Sequence, residues 1–204
     1  MKRIGLTQRV EEIKAYGEFR DMLDQNWFRF LRDLGLLPVP IPTLVADVVA
    51  YAEGLKLEGL VLTGGNDIGE RPDRDQLEAT LIDYAAQTQR PLLGVCRGLQ
   101  MLVTHYGGKL SKVEGHVAQR HPVMKVGQEF TFWPPNFEVN SYHQFGIAAS
   151  EVKTPLAVLT QDAQGHVEAL RHQSLPQFGI MWHPERERPF RELEKDLFRK
   201  VFGL

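Results

Sequence analysis

The sequence predicts an α/β protein in three layers, with helices on both faces of a mainly parallel sheet. Three observations carry that prediction. Short apolar runs, Leu57 to Thr63 and Leu92 to Val95, alternate with segments of helical apolar spacing. Each run stops abruptly at small or polar residues, Gly64-Gly65-Asn66-Asp67 after the first and Cys96-Arg97-Gly98 after the second. Strands alternating with helices of this length imply parallel pairing. At 204 residues the chain can bury one sizeable core. With no internal repeat or linker, residues 1–204 read as a single domain.

Taken in order, Arg3 to Thr7 form a short first strand. A polar segment then leads to an expected helix over Phe19 to Leu34, stopped by Gly35 with Pro38 beyond. Pro38, Pro40 and Pro42 forbid a helix over Leu36 to Ile41, which must be extended. Helical spacing returns over Leu44 to Leu55 and again over Asp75 to Gln89, on either side of the Leu57 to Thr63 strand. After the Cys96 strand, Leu99 to Tyr106 continue as a helix that Gly107-Gly108 ends. Lys109 to Val139 hold prolines, histidines and short β runs without a convincing helix. Leu156 to Thr160, Val167 to Arg171 and Gln177 to Trp182 read as strands joined at Gly165 and Pro176. Pro189 to Phe202 close the chain as an amphipathic helix.

Composition narrows the function. Hydrophobic residues at 43% and charged residues at 25% are ordinary for a globular protein. A formal net charge of −2 gives no reason to expect nucleic acid or an anionic membrane as a partner. The one cysteine excludes an intramolecular disulfide and any multi-cysteine zinc site. No run approaches the roughly 20 apolar residues that span a bilayer. No signal-peptide run follows Lys2, Arg3 and Arg9, so a cytoplasmic protein is expected.

Ligands of open α/β sheets sit beyond the carboxyl ends of the strands, so three strand ends concentrate the chemistry. Cys96, between Gly94 and Gly98, lies where a strand turns sharply into a helix, the geometry of a nucleophile elbow. The positive end of the helix dipole there favours thiolate. Gly64-Gly65 lets the backbone approach a substrate and offer N–H groups, as an oxyanion hole requires. Ile180-Met181-Trp182-His183-Pro184-Glu185 ends in an imidazole with a carboxylate two residues on, able to share its side in extended chain. A carboxylate orienting an imidazole beside a thiol is the arrangement of nucleophilic catalysis. Each feature alone is ordinary: a buried cysteine, a glycine turn, a packing histidine. Their coincidence at strand ends is not.

Gly94-Val95-Cys96-Arg97-Gly98-x-Gln100 resembles the elbow of class I glutamine amidotransferases. Trp182-His183-Pro184-Glu185 and Gly64-Gly65-Asn66-Asp67 resemble that superfamily's other two site motifs, in the same order over essentially the whole chain. The Cys-Arg-Gly elbow and the Arg74-Asp75-x-x-Glu78 helix start are similar to the γ-glutamyl hydrolase (peptidase C26) branch, which includes γ-glutamyl-γ-aminobutyrate hydrolases. That branch usually has Asn at Val103, Pro and Tyr near Gly69-Glu70-Arg71, and Asn-Ser-x-His-His-Gln at Asn140-Ser141-Tyr142-His143-Gln144-Phe145. These departures, with Gly5-Leu6-Thr7-Gln8-Arg9 and Trp182 to Glu187, resemble the γ-glutamyl-CDP-amidate hydrolase subgroup, which serves phosphoramidate modification of bacterial capsular polysaccharide.

The resemblance implies a flavodoxin-like three-layer sandwich and a small γ-glutamyl substrate, with a cytidine nucleotide conjugate as one candidate. It implies Cys96 as nucleophile, His183 as acid and base, and Glu185 as its orienter. Backbone N–H groups of Gly65 and Arg97 would hold the oxyanion. Gly64, Asn66, Gln100, Ser141, Tyr142 and His143 would contact the glutamyl group. This chemistry requires no metal or cofactor. For a nucleotide leaving group the candidate cations are Lys109, Lys112, His116, Arg120, His121 and Arg186, and Trp27 and Phe28 are candidates for the pocket wall. A glutaminase subunit supplying ammonia to a synthetase and a catalytically silent binding module are the competing readings. The intact Cys96, His183 and Glu185 argue against the second. Oligomeric state is not readable from the sequence.

Overall fold

The alternation of apolar residues along the strands sorts the molecule into its layers. A computed structural model describes residues 1–127 and 129–204; Gln128, inside the irregular Lys109 to Val139 span, lies outside the described residues. The chain runs β1 (Arg3–Leu6), β2 (Arg9–Ile13), β3 (Glu18–Met22), α1 (Asn26–Asp33), β4 (Leu37–Pro40), α2 (Val48–Gly54) and β5 (Gly59–Leu62). It continues α3 (Pro72–Thr88), β6 (Leu92–Val95), α4 (Arg97–His105), β7 (Ser111–Lys112), β8 (Val117–Lys125), β9 (Asn136–Tyr142) and β10 (Phe145–Gly146). The last elements are β11 (Leu156–Gln161), β12 (Val167–His172), β13 (Gln177–Ile180) and α5 (Glu192–Phe202).

One nine-stranded sheet orders them β4-β1-β5-β6-β13-β12-β11-β8-β9. The pairings from β4 through β13 are parallel. Those from β13 outward to β9 are antiparallel. The expected three-layer α/β class holds, and the irregular second half is the sheet's antiparallel wing. Ile4, Leu6, Val61, Leu93 and Val95 face a core shared with Trp27, Phe30 and Phe198 of α1 and α5. Leu60, Leu62 and Leu92 face the opposite core, filled by Leu77, Leu81 and Ile82 of α3 and Leu99 and Leu102 of α4. Pro38 and Pro40 sit on the edge strand, where a missing N–H costs no ladder bond.

Several helix boundaries differ from expectation, the closing helix starting at Glu192 and the elbow helix at Arg97, and three differences have a local cause. The helix expected over Phe19 to Leu34 forms only over Asn26–Asp33, because Glu18–Met22 instead pairs antiparallel with Arg9–Ile13. Phe19 and Met22, inside the expected helix, are 57% and 45% exposed and belong to no core stripe. Gly17 turns the hairpin at φ 66°. The Leu44 helix begins only at Val48, since Asp47 caps it by accepting the Ala50 N–H at 2.9 Å. The Asp75 helix begins earlier, at Pro72, whose ring suits a first helical position.

Phe198 is fully buried against Phe30, Trp27 and Phe202, with ring centroids 4.7, 6.3 and 5.7 Å away. Phe198→Ala should therefore cost about 3–5 kcal/mol of unfolding free energy in a denaturant titration. Phe28→Ala, on the exposed face of the same helix pair, should change it by less than about 1 kcal/mol.

Candidate active site

Two glycines set the elbow. A Cβ on Gly94 would lie 2.4 Å from the Gly98 carbonyl carbon, and one on Gly98 would lie 2.2 Å from the Leu62 carbonyl oxygen. Only bare backbone lets α4 descend this closely onto β5 and β6. The turn forces Cys96 to φ 53° and ψ −106°, a strained conformation for a residue with a Cβ. Arg97 opens α4, so its N–H has no acceptor one turn back.

Opposite the thiol, His183 leaves β13 in extended conformation before the short helical turn at Pro184–Arg186. Its Nδ1 lies 2.7 Å from Glu185 Oε1, both side chains being about 3% exposed. Its other edge faces Gly64, where a Cβ would lie 2.7 Å from Cε1, 3.5 Å from Nε2 and 3.6 Å from the Cys96 Cβ. The three strand ends thus meet at one point. Burial opposes charge on His183, but the Glu185 carboxylate and the Cys96 thiolate outweigh it and raise its pKa to about 9.

The remaining candidates divide sharply. The Arg97 side chain turns away from the cleft, buried and paired with Glu78 and Asp75. Glu78 also binds Arg74 at 2.9 Å, and Arg74 donates to the carbonyls of Thr63 at 2.7 Å and Gly64 at 3.1 Å and to that of Gly65. In a trans peptide the N–H points opposite the carbonyl, so Arg74 turns the next N–H away from itself at each of these peptides, that of Gly65 included. The Arg-x-x-x-Glu pair is visible in the sequence, but its use was missed there. The available signal was its place: Arg74, Leu77, Glu78 and Leu81 form one helical stripe, and the stripe is buried.

Asn66 is held at φ 53°, its amide accepting from the Val10 N–H at 2.8 Å and donating to the Val10 carbonyl at 3.0 Å. Gln100 donates to the Phe145 carbonyl at 2.8 Å, and the Ser141 hydroxyl to the His116 carbonyl at 2.7 Å. His143 is turned inward, donating from Nδ1 to the Phe145 carbonyl at 2.9 Å, and burial lowers its pKa to about 3. Of these, Tyr142 alone is open to solvent beside the imidazole, 5.7 Å from His183 ring to ring, with the Arg186 guanidinium 4.2 Å above its face. Asn140 clamps the site from behind, accepting from the His183 N–H at 2.9 Å and donating to its carbonyl at 2.8 Å.

A cleft of about 280 Å³ opens onto this point, walled by Thr63, Gly64, Gly65, His183 and Glu185, by Arg9, Glu11 and Met22 of the β2–β3 hairpin, and by Trp27 and Arg186. Of the expected cations Arg186 alone borders it; Arg120 pairs with Glu187 at 2.9 Å, and His116 is buried elsewhere. Trp27 lines the wall as expected, and Phe28 does not. Arg9, on the unforeseen hairpin, is a second cation at the wall, paired there with Glu11 at 2.6 Å.

This arrangement has relatives. The peptidase C26 family model matches residues 4–185. A γ-glutamyl-CDP-amidate hydrolase from Campylobacter jejuni is 31% identical over 208 residues, covering 98% of each chain. A γ-glutamyl-γ-aminobutyrate hydrolase from Escherichia coli is 29% identical over 206 residues, covering 83% of this chain and 80% of its own. The crystal structure of a GMP synthase component from Thermoplasma acidophilum superposes with a TM-score of 0.79 at 24% identity, over 100% of this chain and 93% of that one. With its family model spanning most of the described chain, and the fold shared along its whole length, this protein belongs to the peptidase C26 family.

Proposed function

We propose that this protein is a cysteine-dependent hydrolase that cleaves a γ-glutamyl amide or phosphoramidate bond and releases glutamate. The observation that carries the reading is that the Cys96 elbow meets the His183–Glu185 pair and the Gly64-Gly65 loop, both of which wall one cleft. Cys96 Sγ attacks the γ-carbonyl, and the N–H groups of Gly65 and Arg97 hold the developing oxyanion. Each such donor lowers the barrier by roughly 3 kcal/mol. His183 gives its Nε2 proton to the leaving nitrogen as the bond from the γ-carbonyl carbon to that nitrogen breaks, leaving a γ-glutamyl thioester. Water then loses a proton to His183, attacks the thioester and frees glutamate and the thiol.

The cleft takes an amino-acid-sized acyl group and leaves a larger leaving group at its rim, beside Arg9 and Arg186. Two guanidinium groups there suit a diphosphate, with Arg9 exchanging its Glu11 partner for a phosphate oxygen. Together with the near-full-length similarity to the Campylobacter jejuni enzyme, this favours γ-glutamyl-CDP-amidate as substrate; the cytoplasmic role in capsule phosphoramidate synthesis rests on the sequence resemblance alone. The cation pair at the rim is the point on which this differs from a γ-aminobutyrate leaving group.

A glutamine-analogue chloroketone should leave one adduct, on Cys96, by mass spectrometry. Glutamate release should be fastest from γ-glutamyl-CDP-amidate, ahead of γ-glutamyl-γ-aminobutyrate and glutamine. An adduct elsewhere would remove Cys96 as nucleophile. Turnover of glutamine alone, and only beside a synthetase, would instead make the protein a glutaminase, in line with its glutamine-hydrolysing GMP synthase relatives.

The raised pKa of His183 sets the pH behaviour. Activity should fall as pH rises through about 9, where the imidazolium loses the proton it gives to the leaving nitrogen. Glu185→Gln removes an anion that holds that proton, so the alkaline limb of kcat/KM should move down toward the ordinary imidazole value of about 6.5. Because the folded-state pKa lies above the unfolded one, the associated stability is full below pH about 6.5 and lost on passing about 9. Denaturant titrations across that window read the same shift.

Gly64→Ala introduces a methyl 2.7 Å from His183 Cε1. It should displace the imidazole and lower kcat about 100-fold while the far-UV circular dichroism stays unchanged.

A further inference from the structure

Behind the catalytic cleft, four side chains from the antiparallel wing turn their unpartnered ring nitrogens and carboxylate oxygens toward one another. His116 precedes β8, His121 lies on it, His143 follows β9, and Glu168 is on β12. His116 Nδ1, His121 Nε2 and His143 Nε2 each lie 3.8 Å from Glu168 Oε1, and the four ligand atoms all fall within 4.8 Å of one another. Among the described residues all three nitrogens and both Glu168 oxygens are buried without a hydrogen-bond partner. Glu168 is 0% exposed, His143 4% and His116 5%.

Such a cluster is unfavourable as it stands. Unpaired buried polar atoms are rare, and a carboxyl with both oxygens unsatisfied is among the costliest. The far sides of the rings explain why they face inward. His116 Nε2 lies 3.2 Å from Asp162 Oδ2, His143 Nδ1 2.9 Å from the Phe145 carbonyl, and His121 Nδ1 3.3 Å from the Pro122 carbonyl. A proton held on each outer nitrogen leaves the inner one as a lone pair. That is the orienting shell which metal-ligating histidines usually carry. A second grouping, His116, Asp162 and His166, is already joined through Asp162, so it serves as that shell.

We propose that His116, His121, His143 and Glu168 form a binding site for a divalent transition-metal ion of the zinc class. Three imidazoles and a carboxylate are a borderline donor set that suits Zn²⁺ and not Ca²⁺ or Mg²⁺. Ligand bonds of about 2.1 Å in a tetrahedron put donor atoms about 3.4 Å apart. The observed 3.8 Å from each imidazole to Glu168 therefore needs only slight contraction. With Glu168 in the site and Asp162 behind it, the ion's two charges are balanced. Four protein ligands fill a tetrahedron, and none of the four lines the catalytic cleft. The ion therefore holds structure and does not touch substrate. It would tie β8, β9 and β12 together immediately behind Tyr142 and Asn140, the residues that abut His183. The site reassigns His143 from substrate to metal. The partly exposed edge of His121 gives an entry path.

The wild-type chain, stripped with chelator and titrated with Co²⁺ as a visible probe, tests this directly. One equivalent should give the intense d–d absorption of a tetrahedral ion, and Zn²⁺ should displace it and raise the thermal midpoint. Cys96→Ser should keep the bands, while Glu168→Gln, verified as folded by circular dichroism, should bind at least about 10-fold more weakly. Absence of bands in the wild type overturns the site, leaving a hydrated polar pocket with Glu168 protonated. Bands lost in Cys96→Ser and kept in Glu168→Gln also overturn it, because the ion would then sit on the thiol and imidazole. None of these readouts depends on γ-glutamyl hydrolysis.

Discussion

Glu78 is shared by two arginines, and much of the site depends on that one carboxylate. Through Arg97 it grips the first residue of α4, on which the elbow is built; through Arg74 it reaches the carbonyls of the Gly64-Gly65 loop. The elbow and the glycine loop are thereby referenced to a single fully buried point. Burial lowers the pKa of Arg74, and Glu78 opposes that loss. A buried ion pair of this kind is weak support for stability, since desolvation offsets the attraction. Its contribution is positional. Loss of one partner would leave an uncompensated charge in the core, at a cost of about 3–5 kcal/mol.

The sheet changes character at β13, and so does its chemistry. The parallel half brings three strand ends to one edge, as open α/β sheets do, and there the thiol, imidazole and glycine loop meet. The antiparallel wing contributes Asn140 and Tyr142, which fix and cover His183, and buries the histidine cluster behind them. The β2–β3 hairpin closes the third side with Arg9 and Met22. One half of the fold carries the thiol, imidazole and carboxylate, and the additions around it set the shape and charge of the opening.

Much of this was legible in the residues. Apolar runs bounded by glycines identified β5 and β6, and Pro38 and Pro40 identified an edge. The meeting of Cys96, His183 and Glu185 followed from strand ends. The hairpin was not legible, because Phe19 and Met22 carry apolar surface that faces solvent, so their spacing mimics a helix stripe. The histidines were misread for a different reason. His116 and His121 are cations by type, but packing against Glu168 places them inside.

What local sequence settles here is whatever depends on neighbours in the chain: strand runs, the glycine-flanked turn that strains Cys96, and the two-residue spacing that lets Glu185 reach His183. Those constraints are steric and act over a few bonds. Which polar groups face the cleft was decided by packing across 19 to 56 positions, as between Arg97 and Glu78, His116 and Glu168, or Asn66 and Val10. A buried polar atom takes its partner from whatever the fold sets beside it. That choice is a property of the assembled layers, because burial alone makes the pairing matter.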